Sequence, residues 1–161
     1  MSLPPIVIIE GPDFCGKSTL AAHIASLGHV YIHNSYTSRR SARLGYERNA
    51  GKPRVLDRSW LSEKVYGPVL RPEQPCNWIE DYLMVEVDKP TYIFCMRPFE
   101  ACYEQQAAEE KEHRYPKRAF KKIWKAYEQE FMEMKLKSPS RVYLFDSDKW
   151  INDITGFIQQ F

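Results

Sequence analysis

No run in this chain of 161 residues reaches the ~18 consecutive apolar positions that a membrane-crossing helix needs. Net charge is almost absent too. Lys and Arg number 23 against 21 Asp and Glu, which leaves +2. A balance this even provides no bulk pull toward nucleic acid or anionic lipid, so any anion site must be local. Binding to DNA is thus not expected from charge alone, and no membrane partner is expected. Cysteine is sparse and unpatterned: Cys15, Cys76, Cys95 and Cys102 show no C-x-x-C spacing. That argues against a zinc site or a disulfide frame and for free thiols in a reducing cytoplasm. Internal repeats and low-complexity tracts are missing. So is a basic segment at Met1-Ser2-Leu3-Pro4-Pro5, and no secretory signal is expected there. What is present is ordinary: 43% apolar or aromatic residues and 27% charged. Such a chain can bury a core, and its length suits one domain over 1–161.

The apolar pattern alternates between two periods. Ile6-Val7-Ile8-Ile9 is an uninterrupted β-branched run, the mark of a strand buried on both faces. Leu20, Ile24 and Leu27 follow at helical spacing, with Gly28 as a stop. Val30-Tyr31-Ile32, Arg54-Val55-Leu56, Thr91 to Met96 and Arg141 to Phe145 read as further strands. Between them lie a polar, Arg-rich stretch at 37–52 that is helical in part, and helices near 59–66 and 77–87. Gly67, Pro68, Pro72 and Pro75 serve as breakers between those two helices. Phe99, Cys102, Tyr103 and Ala107 are spaced as a helix. Pro116 starts a long one, with Phe120, Ile123, Trp124, Tyr127, Phe131 and Met134 on its stripe. Trp150, Ile151, Ile154, Phe157 and Phe161 predict one terminal helix. Strands alternating with helices imply an α/β fold of three layers, with a five-stranded parallel sheet. Ligands of such sheets sit beyond the carboxyl ends of the strands.

Directly after the first strand stands Gly11-Pro12-Asp13-Phe14-Cys15-Gly16-Lys17-Ser18, a complete G-x-x-x-x-G-K-S phosphate loop. A chance match is an event on the order of 0.5% at ordinary residue frequencies. The glycines let successive backbone N–H groups turn inward on a phosphate, and the helix that follows adds its positive end. Lys17 is placed to reach the β- and γ-phosphates, and the Ser18 hydroxyl to ligate Mg²⁺. ATP and Mg²⁺ are the expected cofactors.

The stretch Glu10-Gly11-Pro12-Asp13-x-x-Gly16-Lys17-Ser18-Thr19 resembles the opening of thymidylate kinases. Asp57-Arg58-Ser59 resembles their second signature. The segment from Asp57 to Val69 is similar to the short thymidylate-kinase-like proteins of bacteriophages. The resemblance covers most of the chain and implies a P-loop nucleotide kinase. Its nucleotide-binding residues would be Gly11, Asp13, Gly16, Lys17, Ser18 and Thr19. Asp57, at the mouth of the sheet, can hold Mg²⁺ together with Ser18, and Arg58 can fork onto an acceptor phosphate. The family places Asp13 against the acceptor's sugar hydroxyl and draws acceptor contacts from the arginines of 37–58. Arg43 and Arg48 are the selections here, and Tyr36, Trp60 and Tyr66 are candidates to stack on a base. The family also has a mobile cation near the transferred group. Phe14 occupies the position of the one found inside some phosphate loops. The other pattern, a lid near 108–118, points to Arg114, then to Lys111 or Arg118. Arg97 lies beyond the fourth strand, at the same sheet edge. Phe145-Asp146-Ser147 falls where the fold holds adenine, and His113 has no base to be if the acceptor is a phosphate.

The expected reaction is transfer of the γ-phosphoryl of ATP to a deoxynucleoside monophosphate such as dTMP, with Lys17, Asp57, Arg58 and Arg114 in the catalytic set. A deoxynucleoside kinase, with Asp57 as base, stays open. So does a kinase for a modified nucleotide or a base in DNA. A GTPase switch would need an N-K-x-D motif, which is missing. Turnover without any nucleotide acceptor would favour a regulatory ATPase, and a pure binding module would leave Asp57-Arg58 and the lid without a task. Thymidylate kinases also imply a homodimer.

Overall fold

The computed structural model describes residues 2–109 and 115–161. Five strands form one sheet: β1 (Ile6–Glu10), β2 (Val30–His33), β3 (Arg54–Asp57), β4 (Thr91–Met96) and β5 (Val142–Asp146). Their order is β2-β3-β1-β4-β5, and every neighbouring pair is parallel. Helices α1 (Lys17–Ser26), α2 (Arg39–Arg48), α3 (Trp60–Leu70), α4 (Ile79–Glu86), α5 (Phe99–Ala108), α6 (Lys117–Lys137), α7 (Ser147–Trp150) and α8 (Ile154–Ile158) make the crossovers and the chain end.

β1 sits at the centre, and all five of its residues are buried. This is why its sequence shows no alternation. Ile6 and Ile8 pack on one face with Leu56, Phe94, Leu61 and Tyr127. Val7 and Ile9 pack on the other with Val55, Ile93, Leu20, Ile24 and Phe145. The edge strands β2 and β5 do expose residues, including Tyr31 and Leu144. α6 reaches both cores, Phe120 one and Ile123 with Tyr127 the other. Among the described residues no helix is long and apolar enough to cross a membrane.

Two expectations change. α3 does not stop at Gly67-Pro68 but runs on to Leu70 with Pro68 inside it. Pro68 lies in the last turns, where one missing N–H costs little, and Arg71 N–H still closes onto the Gly67 carbonyl at 2.8 Å. The single terminal helix is instead two short ones. Asp153 interrupts it and caps the second, accepting from Gly156 N–H at 3.0 Å, because a short acid at this position competes with helix continuation.

Candidate functional site

The carboxyl ends of the strands converge on one edge and present Glu10, His33, Asp57, Arg97 and Asp146 or their neighbours there. The loop leaving β1 crosses this edge. Gly11 has φ 142°, and a Cβ on it would stand 2.1 Å from the backbone oxygen of Cys95 in β4. No side chain fits where loop and strand pass so closely. Gly16 caps α1 at φ 80°, and Phe14 also takes a left-handed conformation, φ 64°. The loop is fastened from behind. Ser147 Oγ donates to the Cys15 carbonyl and Arg97 Nη1 to the Phe14 carbonyl, the latter at 3.2 Å.

Lys17 is buried, and its Nζ donates back to the Pro12 carbonyl within the loop. Burial, helped by the nearby Arg58 charge, pulls its pKa below the ordinary lysine value. Ser18 Oγ donates to Asp57 Oδ2 at 2.8 Å, across the end of β3. Tyr31 donates to the same oxygen at 2.6 Å, and His33 Nδ1 lies 3.6 Å from it. Burial and then the Asp57 carboxylate push the Tyr31 phenol pKa up. Among the described residues no group of three or more His, Cys, Asp or Glu forms a metal cage. One carboxylate and one hydroxyl in reach of each other are nevertheless the donor set that Mg²⁺ uses when phosphates and waters complete its shell, so these residues fit the ion.

Arg58 follows Asp57 at φ 74°. Its Nη2 donates to Asp13 Oδ1, its Nη1 to Ser62 Oγ at 3.2 Å, and its guanidinium lies 5.0 Å from the Tyr66 ring centroid. Beneath this loop Glu10 is fully buried, and its carboxylate accepts from Ser59, Ser62 and Tyr127. It thereby ties the end of β1 to the start of α3 and to the middle of α6. The phosphate-loop motif gives Glu10 no role. The available signal was an acid closing a strand that is otherwise wholly apolar.

Two clefts meet here. The larger, about 620 Å³, runs over Lys17, Ser18 and Thr19 to Arg97, Ser147 and Ile151. The smaller, about 200 Å³, lies between Asn34, Tyr36, Arg39, Tyr66 and Arg71. Arg58 and Tyr115 line both. In the smaller cleft Arg39 pairs with Asp81 at 2.6 Å, and Arg71 meets both Glu63 oxygens at 2.8 and 2.7 Å while stacking 3.8 Å over Tyr36.

The other expected residues separate. Asp13 and Thr19 line the larger cleft, and Tyr36 and Tyr66 the smaller. Trp60 is buried against Trp78 and Tyr82. Arg43 lines neither cleft and pairs with Asp81 and Glu80, at 3.1 and 3.4 Å. Arg48 is exposed in the last turn of α2. Arg97 pairs with Asp148 at 3.0 Å. Arg118 is exposed in the first turn of α6. Lys111, His113 and Arg114 lie outside the described residues. Buried Gln106 holds Tyr115 by both backbone groups, donating to its carbonyl at 2.9 Å and accepting its N–H at 3.3 Å. Neither Gln106 nor Tyr115 stood out in the sequence, since each acquires its place only when α5 and α6 pack.

No protein-family model matches the chain, and no curated protein does. Solved structures do. The YorR protein of Bacillus subtilis, in complex with phosphorylated GDP, is 18% identical with a TM-score of 0.70, covering 96% of this chain and 94% of its own. Deoxyadenosine kinase from M. mycoides with bound dATP is 16% identical, TM-score 0.68, covering 96% and 97%. Thymidylate kinase from Candida albicans is 15% identical, TM-score 0.63, covering 96% and 89%. The chain has the P-loop nucleotide-kinase fold.

Proposed function

We propose that this protein transfers the γ-phosphoryl group of ATP, with Mg²⁺, to a deoxynucleoside monophosphate such as dTMP, giving the diphosphate and ADP. The observation that carries this reading is the junction of two clefts at Arg58, one of them floored by the phosphate loop. A phosphotransferase needs a donor and an acceptor site that share a cation where the phosphoryl passes.

In this reading the loop amides and Lys17 hold the donor's phosphates, while Ser18 and Asp57 hold the ion. Bound Mg²⁺ supplies charge neutralisation on the donor's phosphate oxygens. Arg58 swings from Asp13 to grip the acceptor's phosphate with its planar fork. Arg97 and the Ser147 region bound the far end of the donor cleft, where the adenine would lie. The resemblance assigns Arg114 as the cation for the transferred group, and that residue lies outside the described ones.

The distribution of carboxylates supports a phosphate acceptor over a hydroxyl one. Asp57 already receives Ser18 and Tyr31, and Glu10 is saturated with donors. Glu63 and Asp81 are paired to Arg71 and Arg39. A monophosphate needs no base. A second reading, a deoxynucleoside kinase with Asp57 as its base, draws support from the fold shared with deoxyadenosine kinase, whereas Asp13 in the phosphate loop favours the monophosphate.

A panel of deoxynucleosides, deoxynucleoside monophosphates and duplex DNA, assayed with ATP and Mg²⁺, tests both readings. Turnover on a monophosphate is expected, and Lys17→Ala is expected to abolish it in a folded protein. Turnover confined to nucleosides supports the second reading. Acceptor-independent ATP hydrolysis contradicts both.

A further inference from the structure

The phosphate loop carries a thiol that plays no part in holding phosphate. Cys15 lies between Phe14 and Gly16, turned inward and fully buried. Its Sγ is 3.2 Å from Sγ of Cys102, one turn into α5 and also fully buried. These two residues are 87 positions apart, so only the tertiary structure pairs them. Neither side chain belongs to the donor set described above.

We propose that Cys15 and Cys102 are a reversible oxidation site, at which a hydroperoxide joins them as a disulfide and locks the phosphate loop to α5. A relaxed disulfide has a sulfur–sulfur length of about 2.05 Å, so closure draws the sulfurs together by roughly 1 Å. Displacement on that scale at a catalytic loop costs on the order of 10²-fold in rate. The loop has little slack to absorb it, since Gly11 abuts β4, and Ser147 and Arg97 fasten the Cys15 and Phe14 carbonyls.

The Cys102 hydrogen bond lowers the Cys15 thiol pKa against its burial, while the same hydrogen bond and burial push Cys102 up. Cys95 and Cys76 are both raised by burial. The chemistry balances from either thiol of the pair, as it does from Cys15. Its sulfur takes one peroxide oxygen, the O–O bond breaks, and the thiol proton leaves with the other oxygen as water or an alcohol. Cys102 sulfur then displaces the hydroxyl of the sulfenic acid, which leaves as water with the Cys102 proton. Two thiols and one hydroperoxide give one disulfide, one alcohol or water, and one water. The sulfurs lose two electrons and the peroxide gains them. Both thiols are shielded, so the reaction waits on opening of the loop, and ATP bound over it slows the reaction.

The test uses the full chain and hydrogen peroxide. Intact mass should fall by about 2 Da, and peptide mapping should find Cys15 joined to Cys102. Affinity for a fluorescent ATP analogue should fall at least tenfold, and dithiothreitol should restore both mass and affinity. Saturating ATP should slow the mass change. Cys102→Ser should keep the reduced protein's nucleotide affinity and lose both the mass change and the recoverable inhibition. Cys102→Ala serves the same purpose if a buried hydroxyl unfolds the chain. A disulfide involving Cys76 or Cys95, oxidation to acids without cross-linking, or an unchanged response in Cys102→Ser would overturn the proposal. None of these readouts requires phosphoryl transfer, so failure of the site and failure of the proposed reaction are separate results.

Discussion

Lys17 holds a positive charge in a buried position, a cost that a bound polyphosphate would offset. Burial lowers its pKa from 10.5. Replacing it by methionine keeps the volume and removes the charge. Lys17→Met should raise the stability of the nucleotide-free protein by about 1 kcal/mol while reducing transfer by about 10³-fold. Denaturant melts and initial rates measure the two. Unfolding returns Lys17 to its ordinary pKa and lets it bind a proton, so wild-type stability at this site rises as pH climbs toward 10.5. The stability gap between Lys17→Met and wild type should therefore narrow over that alkaline range. Gly11 is constrained by its backbone instead. Its missing Cβ leaves room for the Cys95 oxygen, and Gly11→Ala should cost about 3 kcal/mol by thermal denaturation. The motif made both residues legible. The sequence offered no equivalent for the roles of Arg39 and Arg71, because an arginine's partner is invisible until helices pack. Arg43 and Arg48, selected from the same arginine-rich stretch, are not among the residues that line either cleft.

At the scale of elements, Glu10 is the joint between β1, α3 and α6. Ser59 caps α3 and also donates twice to Glu10, so the turn that presents Arg58 is held at both ends. Tyr127 is the contribution of α6, at 2.9 Å and fully buried. Tyr127→Phe removes one donor and leaves the carboxylate its serine partners. The expected loss is about 1–2 kcal/mol in urea melts, with a fall in transfer rate larger than the fall in ATP affinity, since in the proposed reaction Arg58 grips the acceptor. At the chain's end Asp153→Ala should unfasten α8 at a cost of about 1 kcal/mol, seen as a lower melting temperature. The split at Asp153 shows how a continuous apolar stripe can mislead: Ile151, Ile154 and Phe157 pack on one core face whether or not the backbone between them stays helical.

For the whole molecule the decisive feature is the order β2-β3-β1-β4-β5, in which β1 lies between β3 and β4. That order sets the phosphate loop beside Asp57 and Arg58 on one flank and Arg97 on the other. A ligand there binds only the folded chain. ATP with Mg²⁺ at 100 times its dissociation constant should therefore stabilise the protein by about 2.7 kcal/mol, read as a rise in melting temperature. The alternating elements, the central buried strand and the phosphate-loop motif are legible along the chain, because these depend on local periodicity and on contiguous residues. The smaller cleft, the Glu10 joint, the Gln106 hold on Tyr115 and the meeting of Cys15 with Cys102 arise in the folded chain alone. Those contacts join side chains far apart in the chain, and their partners are fixed by how sheet and helices pack rather than by any pattern along the backbone.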